Sequence, residues 1–371
     1  MTHRCVAARR LLRWLLPALA LAGCDQPNYA PPTLIDRLRV IAVRAEPPWL
    51  GVGPTQLRAK AVGAPDDAVL CHAWSLCLFA WQEDGNYQCI DPELAVDLGI
   101  GATATVSVLD LLPLLPKVPT VLQRKGLLPP DELSGGDDGG GGAPGDDTPE
   151  SDTGFEVQVL FQVSEAAMWG GTCPSATEAL AAPCADRARC VAGFKRLKLG
   201  VDTDGAPDPR VVHENPRLLG LRVDDDSWPA GVRLQVRPYL APAPTFDPDA
   251  PDWTGIRLEP TFDPASLEVV QKSADPGLPD VAETLVFSFF ATQGRFDYTR
   301  TGDNVPHNGF QPEAVPEDAD DARRRIRLWV VARDDRGGVD WLEREAELVP
   351  DGVLPDECIA LLPGLPTCVP R

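Results

Sequence analysis

The sequence predicts a mainly β protein made of two antiparallel β-sandwich domains with long loop inserts. Short runs rich in β-branched and aromatic residues recur along the 371 residues, and Pro, Gly and Asp separate them. Hydrophobic and polar residues alternate within these runs, which is the period of a strand with one buried face, and no helical period persists. Six or seven such runs in succession are typical of an antiparallel sandwich.

The first predicted domain covers residues 34–203. Its strand-like runs are 34–43, 56–62, 70–77, 102–109, 155–163 and 193–201. The strand pattern lapses between residues 113 and 152, where we expect an insert within this domain. The Leu- and Pro-rich stretch 111–130 favours some helix, and the Gly- and Asp-rich stretch 134–145 favours disorder, because it has too few apolar side chains to pack.

The second predicted domain covers residues 215–352, after a linker at 204–214. Its strand-like runs are 218–223, 232–236, 284–291, 325–333 and 339–348. The run 284–291 is apolar on both faces, which predicts a strand packed against something on each side. The last two runs flank Asp-Asp-Arg-Gly-Gly at 334–338, a turn sequence that predicts a hairpin.

The N-terminus has the layout of a secretory signal covering residues 1–23. Basic residues precede a short apolar run that ends in Leu21-Ala22-Gly23-Cys24. The alternatives, a membrane-spanning helix or an amphipathic cap, are disfavoured because the run has about half of the roughly 20 residues that a bilayer requires. The segment resembles a bacterial lipoprotein signal, which implies that Cys24 is lipidated. Residues 24–33 are Pro-rich and predict a flexible tether.

The cysteines predict disulfides. Ten Cys, less Cys5 in the signal and the lipidated Cys24, leave an even number, as expected of an exported chain. They form three groups: Cys71, Cys77 and Cys89; Cys173, Cys184 and Cys190; and Cys358 and Cys368. We expect a local Cys358–Cys368 bond that closes the tail at 353–371, a Cys77–Cys89 bond, a bond from Cys71 to either Cys190 or Cys173, and one local bond in the second group. None of the groups has the tight two-residue spacing of a zinc knuckle.

The charge balance restricts the partners. A formal net charge of −21 disfavours binding to nucleic acid or to an anionic lipid surface, because both of these partners carry many negative charges. It suits a solvated exterior or the binding of cations.

Three segments resemble a known family. They are Phe-Phe-Ala-Thr-Gln-Gly-Arg-Phe-Asp at 289–297, Arg-Leu-Trp-Val-Val-Ala-Arg-Asp at 327–334, and Val-Ile-Ala-Val-Arg-Ala-Glu-Pro-Pro at 40–48. They resemble strands of bacterial immunoglobulin-like surface domains, and the whole arrangement is similar to two-domain lipoproteins of the predatory, social delta-proteobacteria. The resemblance implies two immunoglobulin-like sandwiches at the cell envelope. It implies no activity.

Catalytic motifs are missing from the sequence. It contains no His-Glu-x-x-His, no Gly-x-Ser-x-Gly and no phosphate loop. Of the four His, His72 lies in a strand-like run and is expected to pack there, whereas His213 and His307 lie in polar stretches predicted to be loops. A hydrolase whose site is assembled from distant residues is therefore the weakest functional hypothesis.

Calcium binding is better supported by the sequence than a hydrolase site. Asp202, Asp204 and Asp208 cluster carboxylates as hard cations require. An EF-hand loop that began at Asp202 would need Glu at its twelfth position, and His213 stands there. Further acidic stretches occur at 224–226 and 317–321. A solvated linker or turn is the favoured alternative for all of them, since Asp and Gly are ordinary turn formers.

Carbohydrate binding is a further hypothesis. Trp49, Trp228 and Trp253 lie among Pro and Asp, where an exposed indole offers a surface for stacking a sugar. The alternative is that each Trp covers the end of a sandwich core.

Together these patterns predict an exported lipoprotein of the cell envelope with a non-catalytic binding or scaffolding role. Its expected partners are the membrane, through the lipidated Cys24, and an envelope protein or glycan. The outer membrane or cell surface is favoured over the inner membrane. The alternative is a calcium- or carbohydrate-binding adhesin.

Overall fold

Strands are the main regular secondary structure of the described residues, as the period-two pattern predicts. A computed structural model describes residues 32–51, 53–83, 86–128, 156–199, 213–238, 255–271, 281–316 and 318–349. Several predicted features lie outside these ranges: the signal, Cys24, residues 134–145, Asp202, Asp204, Asp208, Trp253, Cys358 and Cys368. None of the helices in the described ranges combines the length and apolar character that a membrane span requires.

Within the described residues, the first half contains nine strands and two short α-helices, besides 3-10 turns. The strands are β1 (Arg39–Glu46), β2 (Thr55–Val62), β3 (Leu70–Cys77), β4 (Ala80–Glu83), β5 (Asn86–Cys89), β6 (Ala95–Ile100), β7 (Thr103–Val106), β8 (Glu156–Glu165) and β9 (Cys190–Lys198). The helices are α1 (Val118–Arg124) and α2 (Ala176–Ala181). A sheet of order β1-β2-β7 faces a second sheet of order β6-β3-β8-β9, and β4 and β5 form a hairpin.

Apolar side chains from the two sheets fill the space between them. Trp74 and Leu76 of β3, Val159 of β8, Leu57 of β2 and Val106 of β7 share one buried cluster, which is the arrangement of a sandwich core. The helix predicted within residues 111–130 is present as α1, and its Val121 lies in the same core.

Several strand boundaries differ from the prediction, and two of these differences have a visible cause. The run predicted from residue 34 begins as β1 only at Arg39, because Leu34 instead bridges to Ala291 in the second half. The run predicted to reach residue 109 ends at Val106, because Asp110 accepts hydrogen bonds from the backbone N–H and the hydroxyl of Ser107 and starts a 3-10 turn.

The second half forms a sandwich of two five-stranded sheets. Its strands are β10 (Leu218–Val223), β11 (Asp226–Trp228), β12 (Arg233–Val236), β13 (Ile256–Phe262), β14 (Val269–Gln271), β15 (Val281–Ala282), β16 (Leu285–Ala291), β17 (Arg295–Phe296), β18 (Arg300–Gly302), β19 (Asn308–Gln311), β20 (Arg325–Asp334) and β21 (Val339–Leu348), with the helix α3 (Asp321–Arg324). The sheet orders are β11-β10-β13-β19-β17 and β12-β21-β20-β16-β18, and β14 and β15 form a separate pair.

The predicted C-terminal hairpin is confirmed, and one pairing departs from a purely antiparallel sheet. β20 pairs with β21 from Arg325↔Glu347 to Arg333↔Val339. β12 pairs with β21 in parallel, from Arg233↔Glu345 onward. A parallel pair needs a long crossover, and the chain between these two strands supplies it.

A third apolar cluster joins the two sandwiches. Ile41, Ala42 and Val62 of the first meet Trp329 and Val331 of the second, and Phe290 of β16 packs against them. Phe287 and Phe289 of β16 lie in the second core on the opposite face of the same strand. The prediction that residues 284–291 are packed on both sides is therefore confirmed. We call the region around this cluster the junction.

Candidate functional site

The junction carries a cluster of ionisable side chains around His213. The side chain of His213 is completely shielded from solvent. Its Nδ1 lies 3.3 Å from Glu268 Oε2 and 3.3 Å from Glu283 Oε1, and its Nε2 lies 3.4 Å from Asp334 Oδ2. His213 lies in a loop, as predicted, but its side chain is buried, because the chain that leads into β10 runs against the β20–β21 turn. We call these four residues, together with Arg336, the ionic cluster.

The hairpin β14–β15 brings the two glutamates together. Glu268 immediately precedes β14 and Glu283 immediately follows β15, and the backbone N–H of Glu283 donates to the carbonyl of Glu268 at 2.9 Å. Glu283 Oε2 accepts from the backbone N–H of Glu268 at 3.1 Å. Glu268 Oε1 accepts from the backbone N–H of Glu214 at 2.8 Å, so each carboxylate has a second partner that fixes its position toward His213.

Arg336 supplies a permanent positive charge to the ionic cluster. Its Nη1 lies 2.7 Å from Glu268 Oε2 and 3.3 Å from Glu283 Oε1. Its guanidinium lies 4.3 Å from the ring centroid of Trp49, whose indole N–H donates to the Arg336 carbonyl at 3.2 Å. Trp49 thus covers the cluster on one side and is only 9 % exposed, so it is not an exposed platform for a sugar.

Asp334 holds both His213 and the β20–β21 turn. Its Oδ1 accepts from the backbone N–H groups of Arg336 at 3.0 Å and Gly338 at 2.7 Å. Its other carboxylate oxygen, Oδ2, faces His213 Nε2. An Asp at the start of a tight turn commonly binds backbone N–H groups in this way, so the local sequence favours the conformation.

The environment determines the protonation states of the cluster. Burial lowers the pKa of His213, but contact with Asp334 and the negative charges of Asp334 and Glu283 outweigh burial and raise it. The Nε2–Oδ2 contact is long for a hydrogen bond, so we treat it as an ion pair. Burial raises the pKa of Asp334, but His213 and the turn N–H groups outweigh burial and lower it. Burial raises the pKa of Glu283. The favoured state pairs an imidazolium with ionised Asp334.

The ionic cluster also presents metal-ligand atoms. Ligand atoms of His213, Glu268 and Glu283 lie within 4.8 Å of one another, as do those of Glu283, Asp334 and Asp335. One nitrogen and two carboxylates suit a divalent transition metal. However, the guanidinium of Arg336 already contacts both glutamates, so a metal ion would have to displace this side chain. The arrangement fits an internal ion-pair network better than a metal site.

A cleft of about 260 Å³ adjoins the ionic cluster at the junction. It is lined by Val40, Ile41, Ala42, Val43, Phe161, Phe194, Lys195, Arg333, Asp334, Gly337, Gly338 and Val339. Lys195 of β9 donates to the carbonyl of Gly337, and Arg333 of β20 donates to the carbonyl of Ile41 and, at 3.1 Å, to Ser288 Oγ. The cleft is therefore mainly apolar, with two cationic side chains from opposite sandwiches.

Three disulfides lie within the first sandwich. They are Cys71–Cys173, Cys77–Cys89 and Cys184–Cys190. The expected Cys77–Cys89 bond and the local bond in the second group are confirmed. Of its two expected partners, Cys71 is bonded to Cys173. The other candidate, Cys190 at the start of β9, is bonded to Cys184.

The remaining predicted candidates have structural roles. Trp228 is 3 % exposed, lies in the second core and donates to the carbonyl of Val232 at 2.8 Å, so an exposed sugar platform is wrong here as well. His72 lies on the central strand β3 and is half-buried, as expected for a packed histidine. The acidic stretch at 224–226 is the β10–β11 turn, and Arg257 pairs with Asp225 at 3.1 Å.

Comparisons with known proteins identify no family. No family model matches the chain, and neither does any curated protein. Among solved structures, it is similar to three N-terminal domains of the bacteriophage RB49 highly immunogenic outer capsid protein (Hoc), at 11% identity and a TM-score of 0.19 over 84% of this chain and 59% of that one. It is also similar to dimeric latent PorU from Porphyromonas gingivalis, at 10% identity and a TM-score of 0.19 over 87% of this chain and 25% of that one. The chain thus spans less than two thirds of either structure.

Proposed function

We propose that this chain is an exported, lipid-anchored protein of the cell envelope with a non-catalytic binding or scaffolding role. The observation that carries the proposal is the set of three disulfides in one sandwich. Disulfides form and persist in oxidising compartments and are rare in the cytosol. The bond between Cys71 and Cys173 joins residues 102 positions apart, so it constrains most of that sandwich.

The anchor rests on the sequence Leu21-Ala22-Gly23-Cys24. Two or more acyl chains on one cysteine hold a protein at a membrane stably, whereas a single chain binds only marginally. Each folded half, in this proposal, is an immunoglobulin-like sandwich, an assignment that rests on the strand segments at 40–48, 289–297 and 327–334.

The scaffolding role is supported by the way the two sandwiches meet. Besides the apolar cluster, Arg44 pairs with Asp340 at 2.9 Å and Lys60 pairs with Glu343 at 2.6 Å across the junction. Asn215 Nδ2 donates to the Ala45 carbonyl at 2.7 Å. Its Oδ1 accepts from the backbone N–H of Val339 at 2.8 Å. Such contacts hold the two sandwiches in one fixed relation, as a scaffold requires.

Metabolic labelling with radioactive palmitate tests the anchor. We expect label in the wild-type protein and in a Cys5→Ala control, and its loss in Cys24→Ala, which should also leave the membrane fraction. Density-gradient separation of the two membranes then tests the outer-membrane location. Label retained in Cys24→Ala would overturn the anchor, and free thiols at Cys71 and Cys173 in protein isolated under alkylation would overturn the export.

A further inference from the structure

Lys195 and Arg333 bring two positive charges into the junction cleft without a matching acid. Neither has a carboxylate within 4.0 Å among the described residues, and the acceptors they contact are neutral: the carbonyls of Gly337 and Ile41 and the hydroxyl of Ser288. Buried or half-buried cations are ordinarily paired, because desolvating an uncompensated charge costs several kcal/mol. In a chain with a net charge of −21, carboxylates are abundant, so two unpaired cations in one cleft require an explanation.

The nearest acid in the cleft is already engaged. Asp334 raises the pKa of Lys195 by its charge, yet its oxygens are taken by the turn N–H groups of Arg336 and Gly338 and by His213. The cleft therefore has an excess of positive charge at its polar end. Phe161, Phe194 and Val43 supply its apolar walls.

We propose that the junction cleft binds the carboxylate group of a compact ligand that has an apolar body, with Lys195 and Arg333 holding the carboxylate. The inference deepens the binding role proposed above and rests on it. A volume of about 260 Å³ is just below the range of roughly 300–1,000 Å³ usual for ligand pockets, so the ligand or the buried part of it is small. A free organic acid and the C-terminus of a peptide offer the same chemistry.

The charges around the cleft support the binding of a carboxylate. Burial lowers the pKa of Lys195 to about 8, with Asp334 raising it and Arg333 lowering it further. At neutral pH most of the amine is still charged, and it attracts an anion more strongly than an exposed lysine does because it is buried. The same lowered pKa makes the amine more reactive toward reductive methylation than an ordinary lysine.

Calorimetric titration of the full-length protein tests the proposal with phenylacetate as the probe. Its neutral analogue phenylacetamide should bind at least tenfold more weakly. A Lys195→Met variant should lose at least tenfold in affinity for phenylacetate, whereas Lys117→Met, which alters an exposed lysine outside the cleft, should stay within twofold. Equal binding of acid and amide, or an unchanged Lys195→Met, would overturn the proposal.

The wild-type protein provides a test that needs no variant. Phenylacetate should slow reductive methylation of Lys195 at least fivefold, measured by peptide mass spectrometry, and leave Lys60 unaffected. Equal rates with and without phenylacetate would overturn the site. Ala-Ala-Ala-Phe with a free or an amidated C-terminus distinguishes the ligand sources: protection by the free peptide indicates a chain terminus, and protection by phenylacetate alone indicates a free acid. A negative result for phenylacetate binding would not affect palmitate labelling at Cys24, so the cleft and the lipid anchor are tested independently.

Discussion

His213 Nε2 lies 3.4 Å from Asp334 Oδ2, and both side chains are shielded from solvent. The contact joins the residue at which the chain enters the second sandwich to the turn of its last hairpin. Trp49 of the first sandwich lies 5.5 Å from the His213 ring, so the pair also meets the first sandwich. The stability of the junction should therefore depend on this pair.

Replacing Asp334 with Asn tests the pair directly. The amide keeps the size of the side chain and an acceptor for the turn, but it removes the charge opposite His213. Removing one partner of a buried ion pair costs about 3–5 kcal/mol, so the free energy of unfolding should fall by that amount in urea titrations. Asp335→Asn, which changes an exposed neighbour, should stay within about 0.5 kcal/mol. Equal stability of the two variants would contradict the prediction.

The pH dependence of stability should reflect His213. Its pKa is raised in the folded protein, so its stabilising contribution is complete below the unfolded value of 6.5 and is lost as the pH rises through the folded value. Asp334 has a lowered pKa, so its contribution is present above 3.8 and is lost on further acidification. The stability difference between wild type and His213→Gln should be larger at pH 5.5 than at pH 8.5. Urea titrations at the two pH values measure it, and a constant difference would contradict the prediction, because it would mean that folding leaves the pKa of His213 unchanged.

Gly338 should tolerate no side chain. A Cβ at this position would clash with the carboxylate of Asp334 and would lie 2.9 Å from Pro216 Cδ. Gly338→Ala should destabilise the protein by about 1–3 kcal/mol, because overpacking displaces the turn and the ionic cluster together. Gly51→Ala is the matched control, since nothing lies within 4 Å of its added Cβ. The midpoints of thermal unfolding compare the two, and a normal midpoint for Gly338→Ala would contradict the packing described.

The disulfides should differ in their contribution to stability. Loop-closure entropy predicts about 5 kcal/mol for a bond across roughly 100 residues and about 2 kcal/mol for one across a few residues. Removing Cys71–Cys173, which spans 102 positions, should therefore cost more than removing Cys184–Cys190, which spans 6. Paired Cys→Ala variants in guanidinium titrations measure both, and the opposite order would count against the chain-entropy explanation.

The long strands were predictable because their signal is local. Alternation within about eight residues identified β3, β16, β20 and β21. Several very short strands, such as β5, β17 and β18, were not predicted, since so few residues show no period. The longer β6 and β13 were missed as well. The short strands form because neighbouring strands offer unpaired backbone groups, as β19 does for β17.

The ionic cluster was not predictable from the chain. Glu268, Glu283 and Asp334 lie far from His213 in sequence, and in so acidic a protein no single carboxylate stands out. The one local signal was Glu283, an acid almost next to the apolar run 285–291, and it indicated only the end of a strand.

By itself the sequence determined the β class, the final hairpin and the Cys77–Cys89 bond, because each depends on residues close together in the chain, whereas the signal at Leu21–Cys24 stays a prediction. Only the tertiary structure decided the partner of Cys71, the burial of Trp49 and Trp228, and the meeting of His213 with Asp334. These depend on how two sandwiches pack, and packing is set by the summed burial of many apolar side chains rather than by any short pattern.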